Sequence, residues 1–90
     1  MSYEELEKKY EPYIVEGYTG IEFWLDDDWN TVVDKLLSSI ITIYPDFKIY
    51  QLKIKFNMIR FYTNLPGLLE QLCESFLEDK YKEYLKRKQK

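Results

Sequence analysis

Three patterns in this chain predict an α+β fold, one small domain in the order α-(β)-α-β-β-α. Residues 48–63 alternate apolar and polar side chains in period two, the signature of a half-buried antiparallel hairpin. Two longer stretches, at about 28–44 and 65–86, carry apolar residues at the three-four spacing of amphipathic helices. Helix breakers (Pro12, Gly17, Gly20, Pro45) fall between these segments and separate them. A lone hairpin is marginal in water, so its apolar face must be covered by the two long helices.

The first element is a short helix over residues 2–10, with Ser2 as N-cap and Glu5 three positions on, the spacing of a capping box. Tyr3, Leu6 and Tyr10 then fall on one face. Thr19 to Leu25 predicts a short strand or an extended loop, with Ile21, Phe23 and Leu25 on one side and Glu22 and Trp24 on the other. The run Asp26-Asp27-Asp28 before Trp29 reads as a helix entry, because carboxylates there accept orphan backbone N–H bonds and offset the positive helix end. Trp29, Val32, Val33, Leu36, Leu37, Ile40, Ile41 and Tyr44 make the apolar stripe of that helix, and Pro45-Asp46 stops it.

In the hairpin, a two-residue turn at Asn57-Met58 sets Phe56 opposite Ile59, Lys55 opposite Arg60, Ile54 opposite Phe61 and Lys53 opposite Tyr62. Tyr50, Leu52, Ile54, Phe56, Ile59 and Phe61 then form a core face, and Gln51, Lys53, Lys55, Arg60 and Tyr62 a basic outer face. Asn64 is placed to cap the last helix, with Pro66 in its first turn. Leu68, Leu69, Leu72, Cys73, Phe76, Tyr81, Tyr84 and Leu85 carry that helix. A basic tail over residues 86–90 is expected to fray.

Composition narrows the function classes. Aromatic residues make up 18% of the chain, enough for a packed core and for exposed binding positions as well. With no histidine and Cys73 as the only cysteine, an internal disulfide, a His-Cys zinc site and an imidazole base are all excluded. No apolar run approaches the roughly 20 residues of a membrane span, so a cytoplasmic protein with no membrane partner is expected. The net charge of −3 hides a split: residues 1–45 carry ten acids and three bases (−7), residues 46–90 six acids and ten bases (+4).

Each candidate site has a structural reading beside the functional one. Asp26 to Asp28 resembles a metal cluster, but consecutive acids diverge on a turn, so helix capping is expected and no metal or cofactor is assigned. Lys53, Lys55, Arg60 and Tyr62 fit a nucleic-acid contact, with cations for phosphates and a ring for a base; lysines on an exposed strand also serve to prevent edge pairing. Cys73, beside Leu72 and Phe76, reads as a small buried hydrophobe.

Gly20-Ile21-Glu22, the Asp28-Trp29 helix entry, residues 44–48 and Gln51 to Tyr62 together resemble a family of small uncharacterised bacteriophage and prophage proteins. The hairpin of that family reads Q-[VI]-K-x-K-F-G-G-L-R-F-Y. The likeness spans about residues 20–62, and the family's Gly-Gly is Asn57-Met58 here. Longer relatives continue into paired cysteines, whereas this chain has Cys73 alone, so no zinc-linked role is implied. The resemblance implies a phage or mobile-element origin and supplies no activity.

The function expected from these observations is binding of another macromolecule without catalysis. A host protein is the first partner class, met through the acidic half at Glu16, Glu22, Asp26, Asp27 and Trp24. Inhibition of a host defence or nucleic-acid-processing enzyme, as by anti-CRISPR proteins, is one instance. The alternatives are a nucleic-acid-binding accessory protein using the basic hairpin face, and a self-associating module in which Trp24 and the tyrosines form a homodimer surface.

Overall fold

The computed structural model describes residues 1–23 and 25–88. Its elements are helix α1 (Tyr3–Tyr10), a 3-10 turn (Glu11–Tyr13), strand β1 (Gly20–Glu22), helix α2 (Asp27–Ile43), strands β2 (Ile49–Lys55) and β3 (Met58–Thr63), and helix α3 (Gly67–Lys88). The strands form one sheet in the order β1-β2-β3, with β1 parallel to β2 and β2 antiparallel to β3. This is the expected α+β domain, with the optional first strand present.

The local signals explain most of the element ends. Ser2 and Glu5 form the reciprocal capping box that opens α1. Asp26 caps α2 by accepting from the Trp29 N–H at 3.3 Å. α2 turns Trp29, Val33, Leu37 and Ile40 inward. α1 is fastened to it by Asp34, whose carboxylate accepts from Lys9 Nζ at 2.8 Å and from the Tyr10 hydroxyl at 2.6 Å. Partial burial works against charge on Asp34, yet those two donors hold its carboxyl below the usual range. On α1, burial and Glu7 push the Tyr3 hydroxyl up to about 12.

The hairpin differs from the expected register. The turn lies at Phe56-Asn57, both at positive φ (54° and 59°), and the pairs are Lys55–Met58, Ile54–Ile59, Lys53–Arg60, Leu52–Phe61 and Gln51–Tyr62. Two residues at positive φ make the mirror-image turn whose twist matches a hairpin. Sliding the turn back by one keeps Met58 in extended strand and puts Phe56 in the left-handed conformation instead. Each pairing shifts by two positions along β3, so the faces keep their sides; Phe56 leaves the core for the hairpin tip, where it is 84% exposed.

Tyr50 also leaves the expected core face. A bulge interrupts the ladder between Ile49 and Gln51. The extra residue turns Tyr50 outward beside Gln51 and gives its inward place to Ile49, which is fully buried. The inner face of the sheet is therefore Ile21, Ile49, Leu52, Ile59 and Phe61, all buried. Phe47, beside Phe61 at 6.4 Å between ring centroids, closes its end.

One glycine is required by its surroundings. Gly20 has φ +68°, and a Cβ there would lie 2.7 Å from Ile14 Cδ1. Ile14 forms a parallel bridge with Ile49, so the chain before β1 packs tightly against the start of β2.

α3 departs from expectation at both ends and on its outer face. Asn64 does not cap it: the side chain accepts from the Lys48 N–H at 2.7 Å and donates to the Asp46 carbonyl at 2.8 Å, closing the loop before β2. Pro66 precedes the helix, and its carbonyl accepts from Glu70 at 2.9 Å. At the other end the helix continues through Lys88, which pairs with Asp26 and Asp28 at the start of α2. Residues 86–88 are thus helical, and residues 89–90 lie outside the described residues. The inward face is Cys73, Leu77, Tyr81 and Tyr84. Leu68, Leu69, Leu72 and Phe76, expected in the core, are exposed, because α3 lies along the β3 edge and turns a different flank to the core.

That edge contact has a simple geometry. Glu70 accepts from the Thr63 N–H at 2.8 Å, Glu74 from Phe61 at 3.2 Å and Glu78 from Ile59 at 2.7 Å. Alternate residues of a strand are about 6.6 Å apart, and residues four apart on a helix about 6 Å. Three carboxylates in step therefore meet the three outward N–H groups of an edge strand that otherwise offers them to another chain.

Candidate functional site

Among the described residues no group of three or more His, Cys, Asp or Glu side chains is placed to hold a metal ion. Burial raises the Cys73 thiol and makes it a poorer nucleophile. No helix is long and apolar enough to cross a membrane.

The acidic residues expected to form one partner surface are distributed by the fold. Asp26 is half-exposed and engaged twice, as the α2 cap and as the partner of Lys88, whose ammonium holds its carboxyl below the usual range. Asp27 lies 3.9 Å from the Met1 amino group. Glu22 pairs across the sheet with Lys53, a parallel-ladder neighbour. Glu16 stands apart in an open cleft with Glu7, Glu11 and Gly17. Trp24 lies outside the described residues.

The outer face of the sheet gathers its residues where the acids do not. Glu22, Lys53 and Arg60 form one row across the three strands. The next row pairs Gln51 with Tyr62, and the Gln51 amide donates to Thr19 Oγ1 at 3.1 Å. The bulge adds Tyr50, whose ring meets Tyr18 edge-on with centroids 4.8 Å apart. Tyr18, Tyr50, Gln51 and Tyr62 line an open hollow of about 350 Å³, room for one inserted side chain or base. Toward the hairpin tip follow Lys55, Met58 and Phe56, with the Lys55 ammonium 5.6 Å from the Phe56 ring centroid. None of Tyr50, Gln51, Lys53, Lys55, Met58, Arg60 and Tyr62 is buried.

This surface contains all four residues expected for a nucleic-acid contact (Lys53, Lys55, Arg60, Tyr62) and four more that the sequence did not place there. Tyr18 arrives through the loop before β1. Tyr50 arrives through the bulge, and Phe56 and Met58 through the displaced turn. Phe56 and Met58 had a legible signal, since Asn-Met is a poor two-residue turn. The bulge had none.

Fold and surface together define the class: a small α+β domain with an open, aromatic-rich sheet face. Comparison with known proteins returns nothing: no family model matches the chain, and neither a curated protein nor a solved structure matches it significantly.

Proposed function

We propose that this protein performs no chemistry and acts by binding a host protein through the outer sheet face and the hairpin tip. The observation that carries this reading is Phe56. It is a bulky residue held at positive φ and an aromatic one left 84% exposed. Two costs at one position, at the tip of an aromatic-rich surface, are the mark of a residue kept for contact. Its neighbours are of matching type: Tyr18, Tyr50, Met58, Arg60 and Tyr62 belong to the aromatic, methionine and arginine classes enriched at protein interfaces. Tyr50, Met58, Arg60 and Tyr62 are carried on paired strands, which lowers the entropy lost on binding. Asp26 is engaged by the Trp29 N–H and by Lys88, so the sheet face is proposed as the partner surface in place of the acidic half. With the resemblance to phage proteins, the biological role proposed is inhibition of a host defence or nucleic-acid-processing enzyme, as anti-CRISPR proteins do.

The test is affinity capture from host lysate with mass spectrometry, comparing the wild type with the double variant R60E/Y62A. Loss of a hot-spot pair is expected to lower the captured partner by about tenfold or more. Equal capture by both would overturn the proposal. A second variant separates stability from binding. F56N/N57G writes the preferred turn residues and relieves the strain at Phe56, so it is expected to raise stability by about 1–2 kcal/mol. It should raise the urea midpoint while weakening capture.

A second reading uses the same face for single-stranded nucleic acid, with Lys53, Lys55 and Arg60 on phosphates and a base in the tyrosine hollow. Fluorescence anisotropy with labelled single- and double-stranded oligonucleotides at low ionic strength decides between them. Saturable, salt-sensitive binding lost in R60E/Y62A would favour the nucleic acid.

A further inference from the structure

We infer that the partner segment docking on the sheet face is acidic, with a carboxylate received by Arg60 and a neutral ring seated in the tyrosine hollow one row away. This rests on the reading of that face as the partner surface and adds the chemistry it selects. A repulsion is built into the sheet. Lys53 and Arg60 stand directly opposite each other on β2 and β3. Like charges in cross-strand partners, about 5 Å apart at Cβ, destabilise a sheet. Lys55 follows Lys53 on the same face, so Arg60 has a lysine opposite and another diagonal to it. Along its own strand Arg60 is flanked by Met58 and Tyr62. None of Lys53, Lys55 and Arg60 makes an ion pair among the described residues, whereas Lys9, Lys80 and Lys88 each do. Glu22 adjoins Lys53 on the side away from Arg60. Glu74 and Glu78, across the β3 edge, accept from the Phe61 and Ile59 N–H groups. A single unpaired lysine is ordinary on a surface. Here two cations are directly opposed, and an anion bound between them removes a repulsion that the folded chain otherwise carries.

The surroundings of Arg60 select among anions. Its guanidinium offers a planar fork of donors that fits a carboxylate by two parallel bonds. A nucleic-acid phosphate also fits a fork, but a nucleic-acid strand needs cations along its whole path. Here the row ends on Glu22, and the hairpin ends on Phe56 and Met58, which offer a phosphate nothing. One carboxylate beside apolar contacts is the better match. The second subsite follows from the register. The Gln51–Tyr62 row lies two residues along from Lys53–Arg60, about 6.6 Å away on the same face. Tyrosine rings line its hollow, and an aromatic cage often takes an ammonium group. The neighbouring cations repel such a group, so a neutral ring is favoured. The Gln51 amide N–H is turned to Thr19 Oγ1, which leaves the amide oxygen to accept from an indole N–H. A tryptophan two residues from a glutamate in an extended segment reaches both subsites, because its side chains repeat at the same interval.

The test uses a short peptide, capped at both ends, with one tryptophan and a glutamate two residues to either side. It is titrated to about 2 mM into the nitrogen-15-labelled full chain, because a contact this small is expected to bind with a Kd of about 0.1–1 mM. Amide shifts should be confined to Tyr18, residues 50–53 and residues 60–62. Glutamine in place of both glutamates should weaken binding at least about fivefold, and lysine should abolish it. R60K keeps the charge but loses the fork, so it should bind the glutamate peptide severalfold more weakly. R60Q should bind the glutamate and glutamine peptides nearly alike, and its urea midpoint should rise because the opposed charge is gone. Absence of shifts at the highest concentration would overturn the inference, as would equal binding of the glutamate and lysine peptides. Host capture that still depends on Arg60 and Tyr62 would in that case leave the sheet-face reading standing without it. Peptide binding at these residues, with capture unchanged in R60E/Y62A, would instead support the inference and overturn the host-protein reading. A short oligothymidylate that displaces the glutamate peptide at lower concentration than the peptide itself requires would overturn it in favour of nucleic acid.

Discussion

Replacing Glu70, Glu74 and Glu78 together by alanine is expected to lower stability by about 3–6 kcal/mol, taking about 1–2 kcal/mol for each half-buried charged acceptor removed. Each carboxylate accepts one β3 backbone N–H, and Glu70 also accepts from the Thr63 hydroxyl at 2.9 Å. Ile59, Phe61 and Thr63 are buried, so their N–H groups have little water to turn to once the acceptors are gone. A single alanine at Glu74, whose bond is the longest of the three, should cost least. Glutamine at all three positions keeps an oxygen acceptor and should recover much of the loss, which separates hydrogen bonding from side-chain packing. Urea denaturation followed by circular dichroism gives the numbers. A triple-alanine variant within about 1 kcal/mol of the wild type would show that the bonds contribute no more than the water they displace. The same variant should also self-associate through the bared strand, visible as rising light scattering that the glutamine variant does not share.

Trp29→Ala is the second large effect. Trp29 is fully buried and packs against three rings from two parts of the chain: Phe23, just after β1, at 6.2 Å, and Tyr81 and Tyr84 of α3 at 5.4 and 6.0 Å between centroids. Deleting such a side chain removes the transfer energy and leaves a cavity, together about 3–5 kcal/mol. A domain of this size holds only about 5–13 kcal/mol in all, so the variant should be close to unfolded at 37 °C. Trp29→Phe should cost much less, for two reasons. It keeps a ring in the aromatic cluster, and it removes an indole N–H that has no hydrogen-bond partner among the described residues. Thermal melts of the two variants order these effects. An alanine variant as stable as the phenylalanine one would mean that the surrounding rings collapse to fill the space.

The legible part of this fold is the part written in local rules. Ser2 and Glu5, Asp26 before Trp29, and the period-two run of residues 48–63 each act over a few residues, and each forms the element expected of it. What was missed depends on contacts between distant parts. Asn64 had the composition of a helix cap, but Asp46 and Lys48, close in space, engaged its amide first. α3 carries apolar residues on more than one flank, and periodicity alone could not say which flank meets the core. The three glutamates decide that by docking on β3, so Leu72 and Phe76 face outward while Cys73 and Leu77 face inward. The candidate surface divides in the same way. Lys53, Lys55, Arg60 and Tyr62 follow from strand alternation, whereas Tyr18 and Tyr50 join them through a loop and a bulge that alternation does not encode.

The match between helix and strand along that edge also limits how the chain can change in length. Removing one residue from α3 between Glu70 and Glu74 rotates everything beyond it by about 100°, swinging Glu74 and Glu78 off the strand together. Removing the four residues Gln71 to Glu74 is milder, because the helix nearly keeps its phase and Glu78 takes the place of Glu74. Sequences that share this architecture should therefore tolerate gaps in α3 in units of a turn and reject single-residue gaps. In a helix otherwise mixed in character, the spacing Glu-x-x-x-Glu-x-x-x-Glu after a hairpin becomes a mark by which a helix that guards a sheet edge can be found.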